Sequence, residues 1–205
     1  MKLLLLLVAL PLWPQVHGHH HPPRATEQYA GALENPSREE WQRPDAVVDV
    51  LNIRANVVVA DIGAGTGYFA RRLAKKAAKV YAVDVDEKLL RRAAEEAPPN
   101  VVTVLAAPDD PKLPANSVDT VFICNVLHHI EGRTAYYGKL GEALRPGGRI
   151  VVIDFYKHDL PIGPPAAMKL SEELVVSELE AAGFRKSASH DFLLYQYFLI
   201  FERAR

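Results

Sequence analysis

Three glycines, Gly63, Gly65 and Gly67, stand two residues apart in "VVVADIGAGTGYFARRLA", residues 57 to 74. Glycine takes positive φ without a steric penalty and lets a ligand lie directly against the backbone. Asp61 closes the apolar run before the turn, and Asp84, 21 positions after Gly63, closes the next one, "VYAVD". A carboxylate at that second place can accept two hydrogen bonds from a ribose diol. Nicotinamide enzymes use the same geography, but their Gly-x-Gly-x-x-Gly spacing sets a pyrophosphate on a helix N-terminus. Here Tyr68 takes the place of that third glycine. Asp61 is ill suited to a phosphate and well suited to an ammonium group. The pattern therefore points to a ligand with a ribose, an amino-acid tail and no phosphates.

Other residues could act on a second substrate. His128 and His129 follow the apolar run "DTVFICN" and are the candidate general bases, needed only if a nucleophile arrives protonated. Trp41, Tyr156 and His158 are candidates to line a substrate pocket. Tyr195 and Tyr197 sit in terminal strand-like runs, where aromatic residues belong more often to the core. Cys124 reads as a buried strand residue, and no pair of cysteines is spaced for zinc. No metal site is expected in the folded part. A weaker alternative places a divalent copper ion on His19, His20 and His21, if His19 becomes a free N-terminus.

The elements that must hold these groups are legible. "NVVVAD", "KVYAVD", "NVVTVL", "DTVFICN" and "GRIVVIDF" are short Val- and Ile-rich runs separated by enough chain for helices or crossovers, as in buried parallel strands. After the glycines, Phe69, Ala70, Leu73, Ala74 and Ala77 share one helical face, while Arg71, Arg72, Lys75 and Lys76 form a solvated one. Asp86 can cap the next helix, and a further helix from about Arg133 to Leu144 stops at "RPGG". Ser37 and Glu40 fit a capping box, and Pro44 suits a first helical turn, so two short helices precede the glycines. Near the end, a short turn around His190 and Asp191 joins two strand-like runs in a hairpin, which makes the last strand antiparallel. Strands alternating with helices give a doubly wound α/β fold of three layers.

The 205 residues suffice for one domain with a proper core. A formal net charge of −1 does not suggest a polyanion-binding surface, and no nucleic-acid partner is expected. "MKLLLLLVALPLWPQVHG" has a basic start, an apolar run too short to span a membrane, and a small-residue end, the layout of an export signal. The expected organisation is a signal-like segment at 1–18, a disordered His- and Pro-containing tail at 19–36, and a domain at 37–205 whose first helices form a lid. An uncleaved membrane-surface anchor, or a cytoplasmic location, is the alternative to export.

The chain resembles the class I S-adenosylmethionine-dependent methyltransferases, and most of all their small-molecule branch related to quinone-biosynthesis enzymes. "ADIGAGTGYFA", "VYAVDVD", "LPANSVDTVFICNVLHHI" and "LRPGGRIVVIDF" stand in the family's order. The resemblance implies a Rossmann-like seven-stranded sheet, mostly parallel with an antiparallel last strand. It implies S-adenosylmethionine as cofactor, with Asp61, Gly63, Ala64, Gly65, Thr66 and Gly67 cradling the methionine part, Asp84 on the ribose and Val85 on the adenine. Asn125 and its neighbours would line the transferable methyl. Where the family often carries Gly-Asp after the third strand, this chain has Ala106 and Ala107, so Asp109, or else Asp110, would meet the adenine amino group. "NVLHHI" stands where members that modify adenine or glutamine carry an Asn-Pro-Pro-Tyr-type run, which favours a small or lipophilic acceptor. Export would separate such an enzyme from a cofactor made in the cytoplasm. An exported nucleoside- or metal-binding pseudoenzyme on the same scaffold, or a nicotinamide-dependent oxidoreductase, are the competing readings.

Overall fold

The computed structural model describes residues 26–204. The signal-like segment 1–18 and the histidines His19, His20 and His21 lie outside the described residues. No helix among the described residues is long and apolar enough to cross a membrane.

Three short helices come first: α1 (Thr26–Leu33), α2 (Arg38–Gln42) and α3 (Pro44–Val50). The alternating part follows as β1 (Val58–Ile62), α4 (Tyr68–Ala74), β2 (Lys79–Asp84), α5 (Glu87–Glu95), β3 (Val101–Leu105), β4 (Val118–Cys124), α6 (Arg133–Ala143) and β5 (Leu144–Phe155). Helix α7 (Glu172–Ala181), β6 (Phe184–His190) and β7 (Gln196–Arg203) complete it. The seven strands form one sheet in the order β3-β2-β1-β4-β5-β7-β6. The first five pair in parallel, whereas β7 runs antiparallel to both β5 and β6. Strand order reverses between β1 and β4, and in such sheets the crevice outside the carboxyl ends at that point binds the ligand.

Central strands are buried on both faces, which is why they read as unbroken apolar runs. In β5, Val151 and Ile153 join a core with Phe69 and Leu73 of α4, while Ile150 and Val152 join another with Tyr137 and Leu140 of α6. That alternation is the period of two of a pleated strand. Strand β6, at the edge, carries exposed Arg185 and Lys186, charges that discourage pairing with another chain.

Local details differ from expectation in three places. Helix α1 lies within the segment expected to be a disordered tail. Ala30 is buried there, and Leu33 packs toward Gly65, so the segment is ordered by contacts distant in sequence that its own composition does not announce. The capping box does not form: the Ser37 side chain caps nothing, and its amide instead donates to Asn35 Oδ1 at 2.9 Å. "RPGG" is not a free stop after α6 but part of β5, where the register against β4 shifts between Val118 and Thr120. The cap at α5 is as expected, with Asp86 Oδ1 accepting from the amides of Lys88 and Leu89 at 2.8 and 3.2 Å. Asp86→Ala is expected to lower stability by about 1 kcal/mol. Urea denaturation checks this, and an unchanged midpoint would show the cap to be idle.

Candidate functional site

The site is built where β1 turns into α4. The amides of Gly63 and Ala64 both donate to the Val83 carbonyl, at 2.7 and 3.0 Å, and tie the turn to β2. Gly63 has φ +70°, and a Cβ there would lie 2.1 Å from Val126 Cγ2. Gly65 has φ +55°, and a Cβ there would meet Leu33 Cδ1 of α1 at 2.8 Å. Gly67 caps α4 in the same left-handed conformation. Thr66 is buried, and its hydroxyl donates to Glu34 just beyond α1.

Two carboxylates flank the turn. Asp61 is 3% exposed, and its Oδ2 has no hydrogen-bond partner among the described residues. Burial, and then the charge of Asp84, push the Asp61 carboxyl up to about 8, against the opposing pull of the Ala70 amide and of Arg38. Asp84 faces the turn: Oδ2 accepts from the Gly65 amide at 2.7 Å and Oδ1 from the Asp86 amide at 2.9 Å. Burial raises its pKa as well, and these amide bonds oppose the rise. Beyond it, Val85 is 58% exposed and Leu105, level with Asp84 in the sheet, is 52% exposed, leaving apolar surface beside the acid.

The N-terminal helices cover the turn through charge. Arg71 binds both oxygens of Glu34 at 2.8 Å, Arg72 binds Glu39, and Lys76 binds Asp49. The basic run of α4 is therefore a docking face for the segment that carries α1 to α3, rather than the solvated face its spacing suggests. Arg38 of α2 lays its guanidinium 3.8 Å from the Tyr68 ring centre and donates to Gln42 and to the Leu33 carbonyl. It makes no ion pair among the described residues, and burial lowers its pKa. Sequence reasoning missed Arg38, because nothing local marks a half-buried cation. Gln42 in turn donates to Cys124 Sγ at 3.1 Å, and burial pushes that thiol up, so Cys124 is the buried strand residue expected and no nucleophile.

At the end of β4, Asn125 has φ +60°, and its side-chain oxygen accepts from Gln196 of β7. A 3-10 turn (Leu127–His129) follows. His128 Nδ1 lies 2.9 and 3.0 Å from the two oxygens of Asp154, near the end of β5. The side chains are 3% and 0% exposed. His129 is exposed, and its ring sits 4.2 Å from that of His128. Sequence reasoning missed Asp154, whose one local mark is that it closes the apolar run of "GRIVVIDF" as Asp61 and Asp84 close their own apolar runs.

The candidate substrate residues fall into two groups, one around Phe155 and one around Tyr156, which packs on the α6 and α7 face of the sheet. Trp41 meets Phe155 at 5.7 Å, while Tyr156 stacks on His158 at 6.0 Å and meets Tyr197 edge-on at 6.1 Å. Lys169, unremarked in the sequence, is 1% exposed and donates to the His158 carbonyl at 2.8 Å. A cavity of about 240 Å³ opens beside them, lined by Tyr156, Glu172, His190, Asp191 and Tyr197. Asp109 stands in an exposed loop after β3, its carbonyl held by Lys139, and Asp110 is engaged in its own turn with Lys112. No group of three or more potential metal ligands occurs among the described residues.

A family model described as a methyltransferase domain matches residues 60–152. An uncharacterised methyltransferase of Mycobacterium bovis is 34% identical over 120 residues, 58% of this chain and 61% of that protein. A demethylmenaquinone methyltransferase of Tropheryma whipplei is 30% identical over 117 residues, 56% of this chain and 48% of that protein. The matched stretch thus spans about half to three fifths of these relatives. The crystal structure of a SAM-dependent methyltransferase from Aquifex aeolicus superposes with a TM-score of 0.79 at 26% identity, covering 85% of this chain and 96% of that one.

Proposed function

We infer that this chain, which carries a methyltransferase domain, transfers a methyl group from S-adenosylmethionine to a small-molecule acceptor. One observation carries the reading: at the glycine turn stand a buried carboxyl, Asp61, whose Oδ2 has no hydrogen-bond partner among the described residues, and a half-buried guanidinium, Arg38, that makes no ion pair among them. Opposite charges of that kind suit the two ends of an amino-acid tail. Asp84 beside them suits a ribose diol, and exposed Val85 and Leu105 suit the face of an adenine. Asp61 at the turn argues against a pyrophosphate and hence against a nicotinamide dinucleotide. Bound there, the donor supplies a methyl group activated on a sulfonium. The chain's part is chiefly to hold donor and acceptor in line, which is worth several kcal/mol. Leu33 and Glu34 lie over Gly65 and Thr66 at this turn. Trp41 packed on Phe155, and Tyr156 stacked on His158, support a small or lipophilic acceptor, as the likeness to a quinone-modifying relative also does.

Calorimetry with S-adenosylmethionine, S-adenosylhomocysteine and NAD tests the reading. Wild type is expected to bind the first two and not the third. Arg38→Ala is expected to weaken binding by about tenfold to a hundredfold, the worth of a charge-assisted hydrogen bond. Asp84→Ala should do at least as much, since it also frees the Gly65 amide. Binding of NAD alone, or unchanged affinity in both variants, would refute the assignment.

A further inference from the structure

We propose that Asp154 is a positioning residue that fixes His128 with Nε2 as a free proton acceptor, so that the acceptor is a protonated nucleophile of the hydroxyl class. The proposal rests on the methyl-transfer reading given above. An ionised carboxylate only accepts hydrogen bonds, so the imidazole nitrogen that faces both Asp154 oxygens carries the proton. Nδ1 is thereby committed. Nε2 has no hydrogen-bond partner among the described residues and is left with its lone pair. The amide of Phe155 donates to Asp154 Oδ1 at 2.8 Å, which pins the carboxylate itself. Both groups sit at the carboxyl edge of the sheet: His128 just after β4 and Asp154 at the end of β5, its immediate parallel neighbour.

An apolar anchor would serve as well if this corner needed only packing. A histidine and an acid, both almost wholly buried, are an expensive filling unless the imidazole has a task. In the proposed step His128 Nε2 takes the proton that an acceptor hydroxyl gives up as its oxygen bonds to the methyl carbon. The electron pair of the broken carbon–sulfur bond stays on sulfur and cancels its charge. The positive charge ends on the imidazole, next to Asp154. An amine already carrying a free lone pair would need no such base.

The test uses the full chain. Long-range proton–nitrogen NMR at about pH 9, above the ordinary histidine range, reads the tautomer of each imidazole, with His128→Gln assigning the signal. Wild type is expected to show His128 with a bare Nε2. In Asp154→Asn the Phe155 amide keeps the side-chain oxygen, the NH₂ group faces Nδ1, and the proton is expected to move to Nε2. Turnover of catechol and of a naphthohydroquinone, read as S-adenosylhomocysteine formed, should drop 10²- to 10⁴-fold in kcat, about the share of a general base, with KM within about twofold. Asp154→Glu should restore part of the rate. A wild type with the proton on Nε2, turnover of neither hydroxyl acceptor, turnover of an aliphatic amine alone, or an unchanged kcat in Asp154→Asn would each overturn the proposal. Failure of wild type to bind S-adenosylhomocysteine would instead refute the methyl-donor reading, whatever the tautomer.

Discussion

Gly63→Ala is expected to destabilise the fold by about 3 kcal/mol, the sum of two independent penalties. An L-residue at φ +70° costs about 1–2 kcal/mol. Forcing a methyl into filled space adds about 1–3 kcal/mol. Rotation of the neighbour gives no escape, because the added Cβ would lie 2.1 and 2.7 Å from the two Val126 methyls and 2.9 Å from Val126 Cβ itself. Relief requires a backbone shift, and the Gly63 amide is held by Val83 at 2.7 Å. For a chain of this size the loss corresponds to a fall in Tm of about 10 °C. Ligand affinity should fall with it, because the same shift separates Asp61 from Asp84. Gly138 in α6 is the control: a Cβ there meets nothing within 4 Å, so Gly138→Ala should be neutral or stabilising by up to about 1 kcal/mol. The double variant Gly63→Ala with Val126→Ala should recover the crowding penalty and keep the conformational one. A loss below about 1 kcal/mol for Gly63→Ala would mean that the turn is soft, and its rigidity could not then be invoked for binding.

That position also marks how far the sequence could be read. The glycine spacing, the strand-ending acids Asp61 and Asp84 and the alternation of apolar runs are local patterns, and they led to the sheet, its antiparallel last strand and the glycine turn between β1 and α4. What packs on this glycine turn, the proposed ligand site, is not local. Val126 and Leu33 reach Gly63 and Gly65 from segments 63 and 32 residues away, and periodicity holds no trace of such contacts. The basic face of α4 is the same case, since solvated and docked basic stripes have one sequence pattern and only the acids of the N-terminal helices distinguish them. His128 was visible as a histidine after a strand. Its partner was hidden because an acid ending an apolar run, 26 residues on, has no partner until β5 is placed beside β4.

Asp61→Asn is expected to stabilise the ligand-free protein while weakening its grip on the donor, and pH separates the two effects. Burial raises the folded carboxyl to about 8 from an ordinary 3.8, so between those values the native state holds a proton that the unfolded chain has released. Stability therefore falls as pH rises across that window: the contribution is complete below about 4 and is lost through about 8. At pH 7 this amounts to up to about 4 kcal/mol. An amide has no such titration, so urea unfolding of Asp61→Asn between about pH 5 and 8 should lack this slope and cross above wild type. A ligand ammonium beside Oδ2 reverses the balance, because it favours the ionised acid that the empty fold resists. Binding at pH 7 should then expel about one proton per ligand, measurable by calorimetry in buffers of different ionisation enthalpy, and Asp61→Asn should expel none. Affinity should fall about tenfold to a hundredfold in the variant. Equal pH slopes in the two proteins, or proton release that survives the substitution, would place the titrating group elsewhere and detach Asp61 from the ligand. A site that destabilises its own fold near neutral pH, and is relieved by a cation, is physically a receptor for one.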